Sequence, residues 1–380
     1  EGPTARNRFL LVFEAFVRAF TSTDHPMVLF LDDIQWADAS SLDLVARLLV
    51  DARETALLVV AAWRDGEVGS GHPVHDLLDT LTGVEDVVHK VALQPLAVDD
   101  VSALLVDSLE SETADVAALA DLLHGRSGGN PFLLRLLLQT LVQEGLVTPD
   151  HHAQRWSWSI RDIRALPLPD DAVGLALKRI AGFPDETQRM LQSVAALGDH
   201  APVRTVASAL SFEPTEVLKD LAPAIDASVV VPESDGDETR IRFMHDRLQE
   251  AAYQSLPEAD RAPLHLKLGK VLRAELAAND RAELLFQVTD QLDRGEEVIT
   301  DASERTDLAR LNLTAGRRAK RSNAYAPALG YLETGLRLCD PASELAMDLR
   351  QEAAEAAFLA TRFERMDELV DEVLDLSSDV

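Results

Sequence analysis

Residues 27–43 read MVLFLDDIQWADASSLD. Met27 to Leu31 is a short apolar run of the kind that forms a buried strand, and it stops at two acids, Asp32 and Asp33. A buried parallel strand ending in paired carboxylates delivers them to the carboxyl edge of a sheet, where open α/β folds bind ligands. Mg2+ takes few protein carboxylates, keeps several waters and leans on substrate phosphates. Asp32 is therefore the candidate metal ligand, directly or through water. Asp33 is the candidate to orient or deprotonate a water attacking a γ-phosphate. The plainer reading is a strand whose second acid caps a turn. Asp38-Ala39-Ser40-Ser41 reads as a helix start, with Asp38 as the cap.

Working outward, Phe9, Leu10, Phe13, Phe16, Val17 and Phe20 recur at helical spacing before the strand, and Leu57 to Ala62 is a second apolar strand after it. The alternation of helix, strand, helix and strand predicts a parallel α/β sheet. The second strand ends at Trp63-Arg64-Asp65. An arginine just past a strand beside the acid pair can reach a γ-phosphate, or it can pair with Asp65 or another surface acid. Val87 to Leu93 is a third strand candidate. His72, His75 and His89 have no zinc-type spacing and read as solvent-exposed loop residues.

After Pro95 the pattern turns helical, over Val101–Leu109 and Ala114–Leu123. Gly128 and Gly129 end one helix, and Pro131 sits in the first turn of the next. Alternating Trp156 and Trp158 predict a hairpin strand with packing tryptophans. A proline-rich hinge at 166–170 opens a further segment. Helices follow at Ala172–Ile180, Asp185–Ala196, Val203–Leu210 and Pro214–Leu221, then a hairpin from Ser228–Pro232 and Thr239–Phe243. Helices followed by a wing-like hairpin predict a winged helix. Its turn carries Glu233, Asp235, Asp237 and Glu238, which disfavours a groove reader, for that needs basic and amide side chains. From Leu264 the chain is helical. Ala315-Gly316 with Tyr325, and Ala353-Ala354 with Phe363, form a loose internal repeat of helix pairs.

These motifs, in this order, resemble the signal-transduction P-loop ATPases, the STAND branch of the AAA-like NTPases. The likeness is greatest to the ATPase module of large bacterial Ser/Thr kinases, hybrid histidine kinases and large transcriptional regulators. It is carried by LFLDDIQWADASSLDL, a Walker B segment, by Trp63-Arg64-Asp65-Gly66-Glu67-Val68 with His72-Pro73, by Gly129-Asn130-Pro131, and by Phe243-Met244-His245-Asp246-Arg247-Leu248-Gln249-Glu250-Ala251-Ala252-Tyr253. Trp63 and Gly66 stand where the family usually has Tyr and Asn. The resemblance implies Asp32 and Asp33 at the metal and the water, Arg64 as the γ-phosphate sensor, Gly129, Asn130 and Pro131 as a nucleotide-binding motif whose Pro131 packs on the adenine, and His245 at the phosphates, with ATP or ADP and Mg2+ as cofactors. Asp246 then fixes the His245 tautomer or caps the following helix, while the plainer reading seats His245 at a domain seam. The implied organisation is the distal part of a P-loop NTPase core over 1–95, a helical lid over 96–165, a winged helix over 166–258 and tetratricopeptide-like helices over 259–380. The implied fold is α/β followed by mostly α. The function implied is a nucleotide-dependent switch with slow ATP hydrolysis. Its partners would be kinase, sensor or helix-turn-helix domains of a parent chain, and proteins on the C-terminal helices. The alternative is a non-catalytic scaffold working through those helices.

No Gly-x-x-x-x-Gly-Lys-Ser/Thr phosphate loop occurs in the 380 residues, and Gly269-Lys270 lies inside a helical run. The expectation is that the loop lies upstream, that the parent is the ATPase, and that this chain alone is inactive. A net charge of −29, from 65 acidic against 36 basic residues, disfavours nucleic acid and anionic membranes as partners. One cysteine, Cys339, excludes an intrachain disulfide and suits a reducing cytoplasm. No apolar run reaches membrane-spanning length.

Overall fold

The structure is a computed structural model. It describes residues 3–378 except 52–55, 70, 83–87, 151–154, 168, 170, 199, 237 and 280–283. The chain is mostly helical with small sheets, in two units, Glu1–Leu93 and Gln94–Val380.

The first unit begins with α1 (Pro3–Phe20), followed by β1 (Met27–Leu31), α2 (Ala39–Asp51), β2 (Leu57–Ala61) and α3 (Pro73–Thr82). β1 and β2 pair in parallel from Met27 opposite Leu57 to Leu31 opposite Ala61. A short crossover through α2 permits that parallel pairing. Asp38 caps α2 as expected, its Oδ1 accepting from Ser41 N–H at 2.9 Å. Ile34, Leu42, Ala46, Val74, Leu77 and Leu81 form the small core. The third strand does not form over residues 88–93, and Val87 lies outside the described residues. A strand needs a ladder partner, and among the described residues β1 and β2 pair only with each other. Val91 and Leu93 are exposed instead.

The second unit has one continuous apolar cluster, reaching from Val101 to Leu369. It opens with α4 (Val98–Leu109), α5 (Thr113–Ser127) and α6 (Pro131–Gln143). An antiparallel hairpin of β3 (Val147–Asp150) and β4 (Arg155–Trp158) follows, then α7 (Ile160–Ala165). Trp156 and Trp158 pack on the core. Residues 151–154, with His151 and His152, lie outside the described set.

Next come α8 (Ala172–Ala181), α9 (Asp185–Leu197), β5 (Ala201–Pro202), α10 (Val203–Leu210), α11 (Pro214–Asp226), β6 (Val230–Asp235) and β7 (Glu238–Phe243). The three strands form an antiparallel sheet in the order β5-β7-β6. α12 (Asp246–Gln254) packs against α8 and α9.

The remaining helices are α13 (Glu258–Asn279), α14 (Leu285–Arg294), α15 (Ala302–Arg321), α16 (Tyr325–Leu338), α17 (Glu344–Leu359) and α18 (Phe363–Ser378). Consecutive members from α15 to α18 pack together. Tyr325 and Phe363 are the first residues of α16 and α18, the matching places that the internal repeat predicts. Close packing rests on small residues: Gly316 lies against Leu332, and Gly335 against Leu349. No described helix is long and apolar enough to cross a membrane.

Candidate functional site

In the first unit the acid pair stands just past the carboxyl end of β1. Asp32 is exposed, and its Oδ1 accepts from Asp33 N–H at 3.0 Å. Asp33 has φ +51° and stands at the head of a 3-10 turn, Ile34–Trp36, without a side-chain cap bond to it. That left-handed conformation is tolerated by Asp and turns the chain sharply off the strand. Arg64 follows β2 at the same edge. Its guanidinium lies 3.5 Å from Asp33 Oδ1 and 3.2 Å from Glu67 Oε1, and 5.4 Å over the Trp36 ring. The partner acids of Arg64 are thus Asp33 and Glu67. Asp65 instead accepts from Trp63 Nε1 at 2.9 Å.

One further residue ties this edge together. Gln35 is buried, and its Nε2 donates to Asp33 Oδ1 at 2.8 Å and reaches Glu67 Oε2 at 3.5 Å. Its Oε1 accepts from Arg64 N–H at 3.3 Å. His72 corrects the loop-histidine expectation, for it is half-buried. Its Nδ1 accepts from Val74 N–H at 3.3 Å, which leaves the proton on Nε2 to donate to the Gln35 carbonyl at 3.0 Å. His75 and His89 are exposed, His75 on α3 rather than in a loop. Gln35 and His72 both lie in the quoted motif strings, but periodicity carries no sign of their pairing.

In the second unit α5 ends at Gly128, φ +57°, and Gly129 follows at φ +74°. Gly129 C=O accepts from Leu96 N–H at 2.9 Å. Asn130 caps α6, its Oδ1 accepting from Leu133 N–H at 3.0 Å, and Pro131 opens the helix. His245 is the cap residue of α12. Its ring stacks on Phe132, the residue after Pro131, with centroids 3.7 Å apart and an interplanar angle of 13°. The proline segment and the histidine, far apart in sequence, therefore meet at one place. His245 Nδ1 lies 2.5 Å from Asp246 Oδ1. Arg247 N–H donates to Asp246 Oδ1 at 2.9 Å and to His245 Nδ1 at 3.2 Å. Asp246 thus both orients the imidazole and serves the start of α12.

Among the described residues no group of three or more His, Cys, Asp or Glu is arranged to hold a metal ion. Two carboxylates at a strand edge do fit Mg2+ delivered with a phosphate ligand, because that ion keeps most of its shell as water and phosphate oxygen.

Residues 1–60 match the model of the AAA ATPase domain. Hybrid signal transduction histidine kinase G of Dictyostelium discoideum is 22% identical in an alignment covering 90% of this chain and 13% of that protein. The chain therefore spans only a small part of that relative's length. Among solved structures, a STAND protein with a tetratricopeptide repeat sensor from Pyrococcus horikoshii aligns with 98% of this chain and 52% of its own, at 11% identity and TM-score 0.47. The chain is thus similar to AAA ATPase domains over residues 1–60, and most of its length is similar to part of a signalling histidine kinase.

Proposed function

We propose that this module is a nucleotide-dependent regulatory switch of a multidomain signalling protein, binding ATP or ADP with Mg2+ and hydrolysing ATP slowly. The observation that carries it is the edge where β1 ends in Asp32 and Asp33 and the neighbouring parallel strand sends Arg64 to within 3.5 Å of Asp33. In this reading Asp32 holds the Mg2+ of the bound nucleotide and Asp33 orients the attacking water. Arg64 leaves its carboxylates for the γ-phosphate. Pro131, in the Gly129-Asn130-Pro131 motif, packs on the adenine, and His245 meets the phosphates. Residues 96–165 act as the lid, 166–258 as a winged helix, and the α13–α18 region as a tetratricopeptide-like partner surface. The stack of His245 on Phe132 supports placing both motifs at one ligand.

The test is Mg·ATP binding by calorimetry and hydrolysis by phosphate release, on the native polypeptide that carries this sequence. Asp32→Ala is expected to lower Mg-dependent hydrolysis by about a hundredfold or more, the scale of losing a charge-stabilising group in phosphoryl transfer. His245→Ala is expected to change the balance between ADP and ATP while binding persists. Full activity in Asp32→Ala would sink the assignment.

A scaffold acting through its helical repeats is the second reading. It is favoured by Phe358 and Phe363, both exposed and in edge contact at 6.1 Å on the last helix pair. Absence of nucleotide binding would turn attention there.

A further inference from the structure

We propose that Gln35 is a positioning residue for hydrolysis, aligning Asp33 and Arg64 through the two ends of one amide; this rests on the nucleotide reading above. The amide orientation follows from its partners. Nε2 faces two carboxylates, Asp33 at 2.8 Å and Glu67 at 3.5 Å, and Oε1 faces the Arg64 N–H at 3.3 Å. A flipped amide would set oxygen against two carboxylates and a donor against a donor. Gln35 cannot drift from this place. It is 6% exposed, and its own carbonyl is fixed by His72 Nε2 at 3.0 Å. The backbone around it is pinned to both strands, with Ile34 N–H donating to the Ala62 carbonyl at 3.0 Å and Ala62 N–H to the Leu31 carbonyl at 2.8 Å.

The consequence concerns the order of events at the edge. Without an anion, Arg64 pairs with Asp33 and Glu67 and lies over Trp36. A γ-phosphate competes for the guanidinium, and the departing Arg64 would leave Asp33 in a left-handed backbone conformation with one fewer partner. The Gln35 hydrogen bond remains. It holds the carboxylate that must orient water, while the same side chain anchors the Arg64 backbone. Gln35 thereby lets the sensor move without disordering the acid. Misplacing a reacting group by about 1 Å can cost about a hundredfold in rate.

The experiment compares wild type, Gln35→Leu and Gln35→Glu in the native polypeptide. The Mg·ATP dissociation constant and the single-turnover hydrolysis rate are measured alongside the unfolding midpoint. Gln35→Leu is expected to slow hydrolysis by about tenfold or more, with the dissociation constant changed by less than about threefold. Gln35→Glu, which keeps size but repels Asp33 and Glu67, should be no faster. A rate within twofold of wild type in a folded variant overturns the proposal. So does a loss of binding and rate that tracks the unfolding midpoint.

A nucleotide-free arm covers variants that fail to fold. In the 15N-labelled chain, the Arg64 Nε–H resonance, assigned by its loss in Arg64→Lys, should exchange with water more slowly than in free arginine. Free-arginine exchange in wild type overturns the proposal. No Mg·ATP binding by wild type overturns the nucleotide reading, and the hydrolytic role of Gln35 with it. Wild-type binding with an unaffected Gln35→Leu rate removes the Gln35 role alone.

Discussion

A methyl group added at Gly129 would lie 2.3 Å from the Leu96 carbonyl oxygen, on a backbone at φ +74°. Gly125, one turn earlier in α5, is helical with open space around it. The same substitution should therefore have opposite signs at the two positions. Gly129→Ala is expected to cost roughly 2 kcal/mol or more, from left-handed strain plus a clash with backbone that cannot yield. Gly125→Ala should stabilise by up to about 1 kcal/mol through helix propensity. Urea denaturation of both variants checks this, and equal effects would refute the account. The sequence marks Gly129 as a helix end, but its pressure on Leu96 depends on a contact between segments and leaves no local pattern. Gln35 is similar. Asp32, Asp33 and Arg64 are legible because each follows an apolar strand, whereas the partners of Gln35 other than Asp33 come from the chain beyond β2 and beside α3.

Among the elements, those with strong periodicity or a hard stop are readable. β1, bounded by Pro26 and the acid pair, has the bounds its apolar run predicts. α7 is not legible, because a six-residue helix with one buried residue, Ile163, shows no period. Residues 88–93 look like a strand, since Val88, Val91 and Leu93 are apolar in a short run, yet a strand is defined by its neighbour.

What holds α12 to the helices after it is also invisible in the sequence. Tyr253 OH lies 2.8 Å from His265 Nε2, His265 Nδ1 lies 2.7 Å from Gln291 Oε1, and Gln291 Nε2 donates to the Ala196 carbonyl at 2.8 Å. The last bond fixes the Gln291 amide, so Nδ1 carries the His265 proton and Nε2 accepts from Tyr253. Burial holds the His265 pKa below its ordinary value, so the neutral ring this relay needs is the favoured form. Tyr253→Phe strips a buried acceptor of its donor while keeping the ring. The expected loss is about 1–3 kcal/mol in urea unfolding. A loss below about 0.5 kcal/mol would mean that the relay does not tie α12, α13, α14 and α9 together.

For the molecule as a whole, 65 acids against 36 bases make proton uptake a natural lever on stability. One carboxylate stands out from the rest. Asp293, near the end of α14, has its pKa pushed up to about 7, chiefly by burial. Asn312, donating at 2.7 Å, and Arg337 pull it down, while Glu296 and Asp290 push it further up. The folded state thus keeps a proton on Asp293 that the unfolded chain gives up near the ordinary carboxylate value. Between that value and about pH 7, folded protein binds more protons, so stability falls as pH rises through the window and is level beyond it. Each tenfold gain in proton affinity is worth about 1.4 kcal/mol, which makes the effect of the order of a few kcal/mol. His265 acts with the opposite sign, its lowered pKa removing stability as pH falls below its ordinary value. The two overlap in a single profile, and only a difference curve separates them. Asp293→Asn keeps an oxygen for Asn312 and cannot ionise. Its stability minus that of wild type should be near zero at about pH 4, rise through about pH 5–7 and level off above roughly pH 8. A difference that is flat across this range would show that Asp293 ionises in the folded protein as it does in the unfolded chain, and that the contacts around Asn312 carry no proton.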